Sequence, residues 1–131
     1  MSIPADIVEP SLIIKVNKLY QPNMSALQLY EITRGVWVLA DRRVNVEFAF
    51  SVYNGIIKEV YAVHSWHPAL TLPYETRTEK NITLDGNISM HNRWEFNGDL
   101  AHKDIRSKYV GKSVAHYFKQ GAANPIKYIN C

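Results

Sequence analysis

The chain has 131 residues, 47% of them hydrophobic and 21% charged, with a formal charge of +3. This composition excludes a disordered tail, and the length gives a single domain, residues 1–131, able to build a core without metal or disulfide help. The one cysteine, Cys131, excludes an internal disulfide. No apolar run approaches the roughly 20 residues of a membrane span, so a cytoplasmic protein with no membrane contact is expected.

Leu12-Ile13-Ile14-Lys15-Val16 is a short apolar run of strand character, broken by Gln21-Pro22-Asn23. Ser25-Ala26-Leu27-Gln28 then spells a capping box. The helix it starts runs through Leu29, Tyr30 and Ile32 and is expected to end at Gly35 in the left-handed conformation. Arg34 would lie on the last turn, beside the carbonyl ends. Val36-Trp37-Val38-Leu39 reads as a second strand, and Ala40-Asp41-Arg42-Arg43 as its turn.

The clearest local signal is Asn54-Gly55 between the β-rich runs Val46 to Tyr53 and Ile56 to Val63. A two-residue turn would pair Val52 with Ile57, Phe50 with Glu59, Phe48 with Tyr61 and Val46 with Val63 on the core-facing side. Glu59 is the misfit there. It must either pair with an arginine or be displaced by a bulge, and pairing is preferred because an unpaired buried carboxylate costs several kcal/mol.

From Pro68 to His91 the chain is polar and reads as a long loop, with Ile82-Thr83-Leu84 as a short strand. Arg93-Trp94-Glu95-Phe96 is another strand, closed by Asn97-Gly98. Asp104 is expected to cap a last helix of about four turns. Val110, Val114, Tyr117 and Phe118 would line one side of it and Lys108, Lys112 and Lys119 the other, with Gly121 as its end. Pro125 to Ile129 gives a final strand. The expected fold class is α+β: a curled, partly closed mixed β-barrel with two main helices.

The stretches Leu29 to Leu39, Phe48 to Trp66 and Arg93 to Gly98 follow an order that resembles small PUA-like domains, including the EVE, YTH and ASCH branches. The tail from Tyr109 to Ser113 and from Asn124 to Tyr128 is similar to tails of small bacterial and phage proteins. The chain departs from the ASCH branch in lacking its glycine-lysine-x-x-glutamate-x-arginine pattern, and it has no complete YTH-type aromatic cage. The resemblance implies RNA binding, or recognition of a modified or flipped-out base in an aromatic pocket.

The residues themselves point the same way. Arg34-Gly35-Val36-Trp37, then Arg42-Arg43, and the end Ser65-Trp66-His67-Pro68 put indoles beside fixed positive charge. Such pairs hold flat, phosphate-linked bases. The candidate binding residues are Trp66 and Trp37 for stacking, His67 beside them, and Arg34, Arg42, Arg43 and Arg93 for phosphates. The partner is RNA or single-stranded or modified DNA, the class undecided. The competing reading fills the core with Trp37 and Trp94 and solvates the arginines and lysines. His64 and His67 have no carboxylate or cysteine cluster around them, so no metal and no cofactor is expected. Tyr109-Val110-Gly111-Lys112-Ser113 fails as a phosphate loop, because Arg106 stands where the upstream glycine is required. Two other classes stay open: a protein-interaction or inhibitor module, and a small nucleic-acid-processing enzyme with Glu59 as its carboxylate.

Overall fold

The computed structural model describes residues 3–77, 92–119 and 124–131. In chain order the elements are β1 (Ser11–Lys15), α1 (Ala26–Arg34), β2 (Trp37–Val38), a 3-10 turn (Asp41–Asn45), β3 (Phe48–Tyr53), β4 (Ile56–Pro68), β5 (Arg93–Leu100), α2 (Lys103–Tyr109), a 3-10 turn (Ala115–Tyr117) and β6 (Ile126–Ile129). The strands form one mixed sheet in the order β2-β5-β4-β3-β1-β6, curled until it nearly closes into a barrel. Among these strands, β1 and β3 pair in parallel and the other pairings are antiparallel. Among the described residues no helix is long and apolar enough to cross a membrane.

The helix α1 begins as its sequence dictates. The Ser25 hydroxyl accepts from the Gln28 amide at 3.1 Å, and the Gln28 side chain accepts from the Ser25 amide at 2.8 Å. Its end differs from expectation. Gly35 is extended, at φ −169°, rather than left-handed. The glycine is needed for space: a Cβ there would collide with the Tyr74 hydroxyl and come within 2.8 Å of the Glu95 Cβ. Nor does Arg34 attend the helix carbonyls. Arg77 does, donating to the carbonyls of Glu31 and Gly35.

The Asn54-Gly55 hairpin forms, with positive φ at both residues (50° and 79°). Val52 faces Ile57 as expected, but Ser51 then faces Glu59, Phe50 faces Val60 and Phe48 faces Ala62. A bulge at Lys58 inserts one residue, so the other expected pairings slip by one. Glu59 uses both devices foreseen for it. It lies just past the bulge, and its carboxylate takes the Arg106 guanidinium in a fork of 2.8 and 2.9 Å.

The strand β4 runs through to Pro68, with a second bulge between Val63 and Ser65. Asn97-Gly98 is not a turn: β5 continues past it, Gly98 opposite Val63. A side chain at Gly98 would strike the Ala62 carbonyl, so this glycine also serves close approach.

The last helix is shorter than the apolar spacing suggested. The seven residues of α2 are capped by His102, whose Nδ1 accepts from the Asp104 amide at 3.3 Å, with Asp104 inside the first turn. After Tyr109 the chain pairs with the hairpin instead of coiling on. Gly111, at φ +91°, donates to the Ile57 carbonyl at 2.8 Å, and the Lys112 carbonyl accepts from Ile57 at 2.9 Å. Val114 donates to Gly55 at 2.8 Å. A left-handed glycine and three cross-chain bonds outcompete the helical pattern. Gly121 and the expected strand at Ile82 to Leu84 lie outside the described residues.

Two apolar clusters flank the sheet. Ile13, Phe50, Val52, Ile57 and Val60 pack with Tyr109 and Val114 on one side. Leu12, Ile14, Ala49, Tyr61 and Phe96 pack with Ile32 of α1 on the other.

Candidate nucleic-acid interface

The expected aromatic-basic residues are built into the wall of the barrel. Trp37 faces Trp94, Trp94 faces Pro68, and Trp66 faces Phe96 across antiparallel pairs, so all five share one face of the sheet. Trp37 donates its Nε1 hydrogen to the Thr33 carbonyl at 2.7 Å, tying β2 to α1. Trp66 meets Phe96 edge-on, ring centroids 5.5 Å apart, and packs against the α1-side core. Its buried Nε1 has no acceptor among the described residues. His67 alternates to the opposite face, where its Nε2 meets the Ser65 hydroxyl at 2.8 Å. Trp66 and His67 therefore do not line one pocket.

The arginines hold structure together. The 3-10 turn links the two ends of the strand order: Arg43 lies 3.4 Å over the Trp94 ring in β5, next to the edge strand β2, and Arg42 lies 4.5 Å over Tyr128 in the edge strand β6. Arg42 also donates to the Cys131 carbonyl, and the Tyr128 hydroxyl accepts from the Ala40 amide at 3.1 Å. This pair is the clasp that brings the curled sheet to near closure. Arg34 is 4% exposed; it donates to the Pro73 carbonyl and stacks 3.9 Å from Tyr74, so no phosphate reaches it without the fold opening. Half-buried Arg93 donates to the Val36 carbonyl at 3.1 Å.

Two buried carboxylates that the sequence reading did not single out organise the segment 69–77. Glu95, fully buried, accepts from the amides of Leu70, Thr71 and Leu72 at 3.0, 3.0 and 2.6 Å and from the Tyr74 hydroxyl at 2.7 Å. Glu31, 2% exposed, accepts from the amides of Glu75 and Thr76 at 2.7 and 2.6 Å and from the Thr76 hydroxyl. Burial pushes the Glu31 carboxyl up, but the bonds from Thr76 and Glu75, with the nearby Arg34 charge, outweigh it and hold the group below its ordinary value. Burial and the Glu95 bond push the Tyr74 hydroxyl up. Together these groups strap the segment across the edge of the sheet. A glutamate between Trp94 and Phe96 was the available signal, since a charge inside an aromatic strand must find donors.

A half-buried group of aromatic and cationic side chains lies elsewhere, at the hairpin end of the sheet, with Tyr20 also packed against the α1-side core. Tyr20 and Tyr53 stack there with centroids 4.3 Å apart and planes at 21°, and Lys58 stands 5.7 Å over Tyr20. Around the rim, Lys15 lies 3.9 Å over Phe118. Tyr53 is half-buried and belongs to neither apolar cluster. Lys58 is the bulge residue, so the same irregularity that shifts the register delivers its amine to this surface. Neither Lys18 nor Lys58 forms an ion pair among the described residues, whereas Arg106 and Lys108 are neutralised by Glu59 and Glu9. Beside the stack lies a cleft of about 250 Å³, lined by Lys18, Leu19, Gln21, Met24, Gln28, Ile32, Thr76 and Arg77. Among the described residues no group of three or more His, Cys, Asp or Glu side chains is placed to hold a metal.

Comparison of the chain with protein-family models, with curated proteins and with solved structures finds no match.

Proposed function

We propose that the protein is a small nucleic-acid-binding module that takes single-stranded RNA or DNA on the hairpin end of its sheet. The observation that carries this reading is the Tyr20–Tyr53 stack with the unneutralised Lys58 over it. An aromatic face supplies sequence-tolerant stacking, worth roughly 1–3 kcal/mol per base, and adjacent amines supply phosphate contacts. The net charge of +3 favours an anionic partner without demanding one. A PUA-like relationship would imply the same class of partner.

This reading moves the interface away from Trp66, Trp37 and the arginine clasp. Those residues close the barrel, and the tyrosines and lysines at its other end meet the strand. The test is fluorescence anisotropy with labelled single-stranded and duplex oligonucleotides at low and moderate salt. Tight, salt-sensitive binding of single strands that Tyr53→Ala weakens and Trp37→Phe leaves intact supports the assignment. Absence of binding at low salt overturns it.

A further inference from the structure

Resting on the nucleic-acid reading, we infer that the bound single strand crosses the hairpin turn to a second station on the opposite face of the sheet. There Phe118 stacks a base, and Lys15, Lys119 and Lys127 hold phosphates. The charge distribution points to this side. Residues 105–131 carry five of the fifteen Lys and Arg residues and none of the twelve Asp and Glu, leaving ten cations against twelve acids elsewhere. A basic tract without acids, set beside aromatic rings, suits a phosphate-linked partner. Within it Arg106 and Lys108 are paired with Glu59 and Glu9. Lys119 and Lys127 are exposed and form no ion pair among the described residues.

The fold collects these groups on one face. Ile13 and Ile129 belong to the α2-side cluster. Lys15 stands two residues past Ile13 in β1, and Lys127 pairs with Ile13 across β1 and β6, so both lysines share that face. The Lys15 amine lies 3.9 Å over the Phe118 ring, which is half-buried and packs against the same cluster. Lys119 follows Phe118 directly, and the exposed His116 ring stands 4.2 Å from that of Tyr117. The first station faces the other way. Tyr20 packs against the α1-side cluster, and Tyr53 alternates with Val52 of the α2-side cluster. The hairpin turn joins the two. The Val114 amide donates to the Gly55 carbonyl at 2.8 Å, and the Ala115 Cβ lies 3.9 Å from where a Gly55 Cβ would stand. Passing from one face to the other spans about 10 Å of sheet thickness. At about 3.4 Å or more per nucleotide, about three nucleotides make the crossing. With a base on each station the footprint is about five nucleotides, within the range of single-strand sites.

The experiment is anisotropy at several salt concentrations with labelled oligothymidines of about two and about eight nucleotides, shorter and longer than this footprint, and with a duplex matching the longer one. The proteins are the wild type, Phe118→Leu, which keeps an apolar side chain against the core, and the double variant Lys119→Ala, Lys127→Ala. The wild type should hold the long strand more tightly than the short one. Phe118→Leu should weaken the long strand about tenfold, the scale of one stacked base. The lysine variant should make its salt slope shallower by about 1.4, for two single-strand phosphate contacts. Both variants should keep wild-type affinity for the short strand. Equal wild-type affinity for short and long strands overturns the second station and leaves the Tyr20–Tyr53 reading standing. So does wild-type affinity and slope for the long strand in the lysine variant, whose exposed substitutions leave the fold intact by circular dichroism. A duplex that binds more tightly than the single strand, and loses affinity in the lysine variant, overturns the assignment of this face to a single strand. Failure of every oligonucleotide to bind at low salt overturns the nucleic-acid reading itself.

Discussion

Four donors converge on the Glu95 carboxylate, three of them backbone amides of residues 70–72. Glu95→Ala would leave those amides beside a buried void, at a cost of about 3 kcal/mol or more. Urea unfolding of that variant should show the loss; a change under 1 kcal/mol would mean the amides find other partners. Trp66 presents the opposite case, a buried donor with no acceptor among the described residues. Trp66→Phe keeps most of the packing on Phe96 and deletes the unsatisfied N–H, so it should leave stability within about 1 kcal/mol of the wild type. Trp66→Ala should cost about 3–5 kcal/mol. A large loss in the phenylalanine variant would show that the indole N–H is bonded in solution. At this scale the sequence was partly legible. The capping box at Ser25 and Gln28 and the need of Glu59 for an arginine follow from local chemistry. The role of Arg34 does not, because its stacking on Tyr74 depends on a strap forty residues away.

The strap 69–77 is docked by ionisable side chains, and its stability should follow their titration. The Glu31 carboxyl is held below its ordinary value of 4.5, so the folded chain keeps it ionised where the unfolded chain takes up a proton. The stability it contributes is complete above pH 4.5 and is lost as the pH falls through its lower folded value. Hydrogen exchange at Glu75 and Thr76 should therefore quicken below pH 4.5, ahead of exchange in β3, and Glu31→Gln should flatten that dependence. Uniform exchange across strap and sheet would show that the strap does not open separately. Glu9, whose carboxyl is also lowered, adds to the acid sensitivity of the whole chain, burial opposing and the Tyr109 hydroxyl bond and Lys108 favouring its ionised form. Among the elements, the hairpin and the end strands were readable because turn chemistry and β-branched runs are local. The extent of α2 was not. The side-chain spacing from Val110 to Phe118 mimics a helix, while Gly111 and its bonds to Ile57 decide against one. Periodicity cannot report a competing partner some fifty residues upstream.

For the molecule as a whole, the two ends of the curled sheet are built differently. At one, Arg42 and Arg43 clasp β6 to β5 through Tyr128 and Trp94. Arg43→Ala should lower stability by about 1–2 kcal/mol, through lost cover on Trp94, with nucleic-acid affinity unchanged in the folded fraction. At the other end, Tyr20, Tyr53, Lys58 and Lys18 leave aromatic and positive surface unmatched. The α+β class and the partial closure were legible in the order of elements. The Tyr20–Tyr53 stack was not, because these residues are 33 positions apart and meet only when β3 lies beside β1. Tryptophans beside arginines were the stronger sequence signal, and the fold uses them for closure. The salt dependence of single-strand binding, measured by anisotropy for the wild type and for Lys58→Ala, decides whether the hairpin end meets nucleic acid. Log affinity should fall linearly with log salt, with a slope shallower by about 0.7 in the variant for its one lost phosphate contact. An identical slope in both proteins, or no binding at low salt, would contradict it.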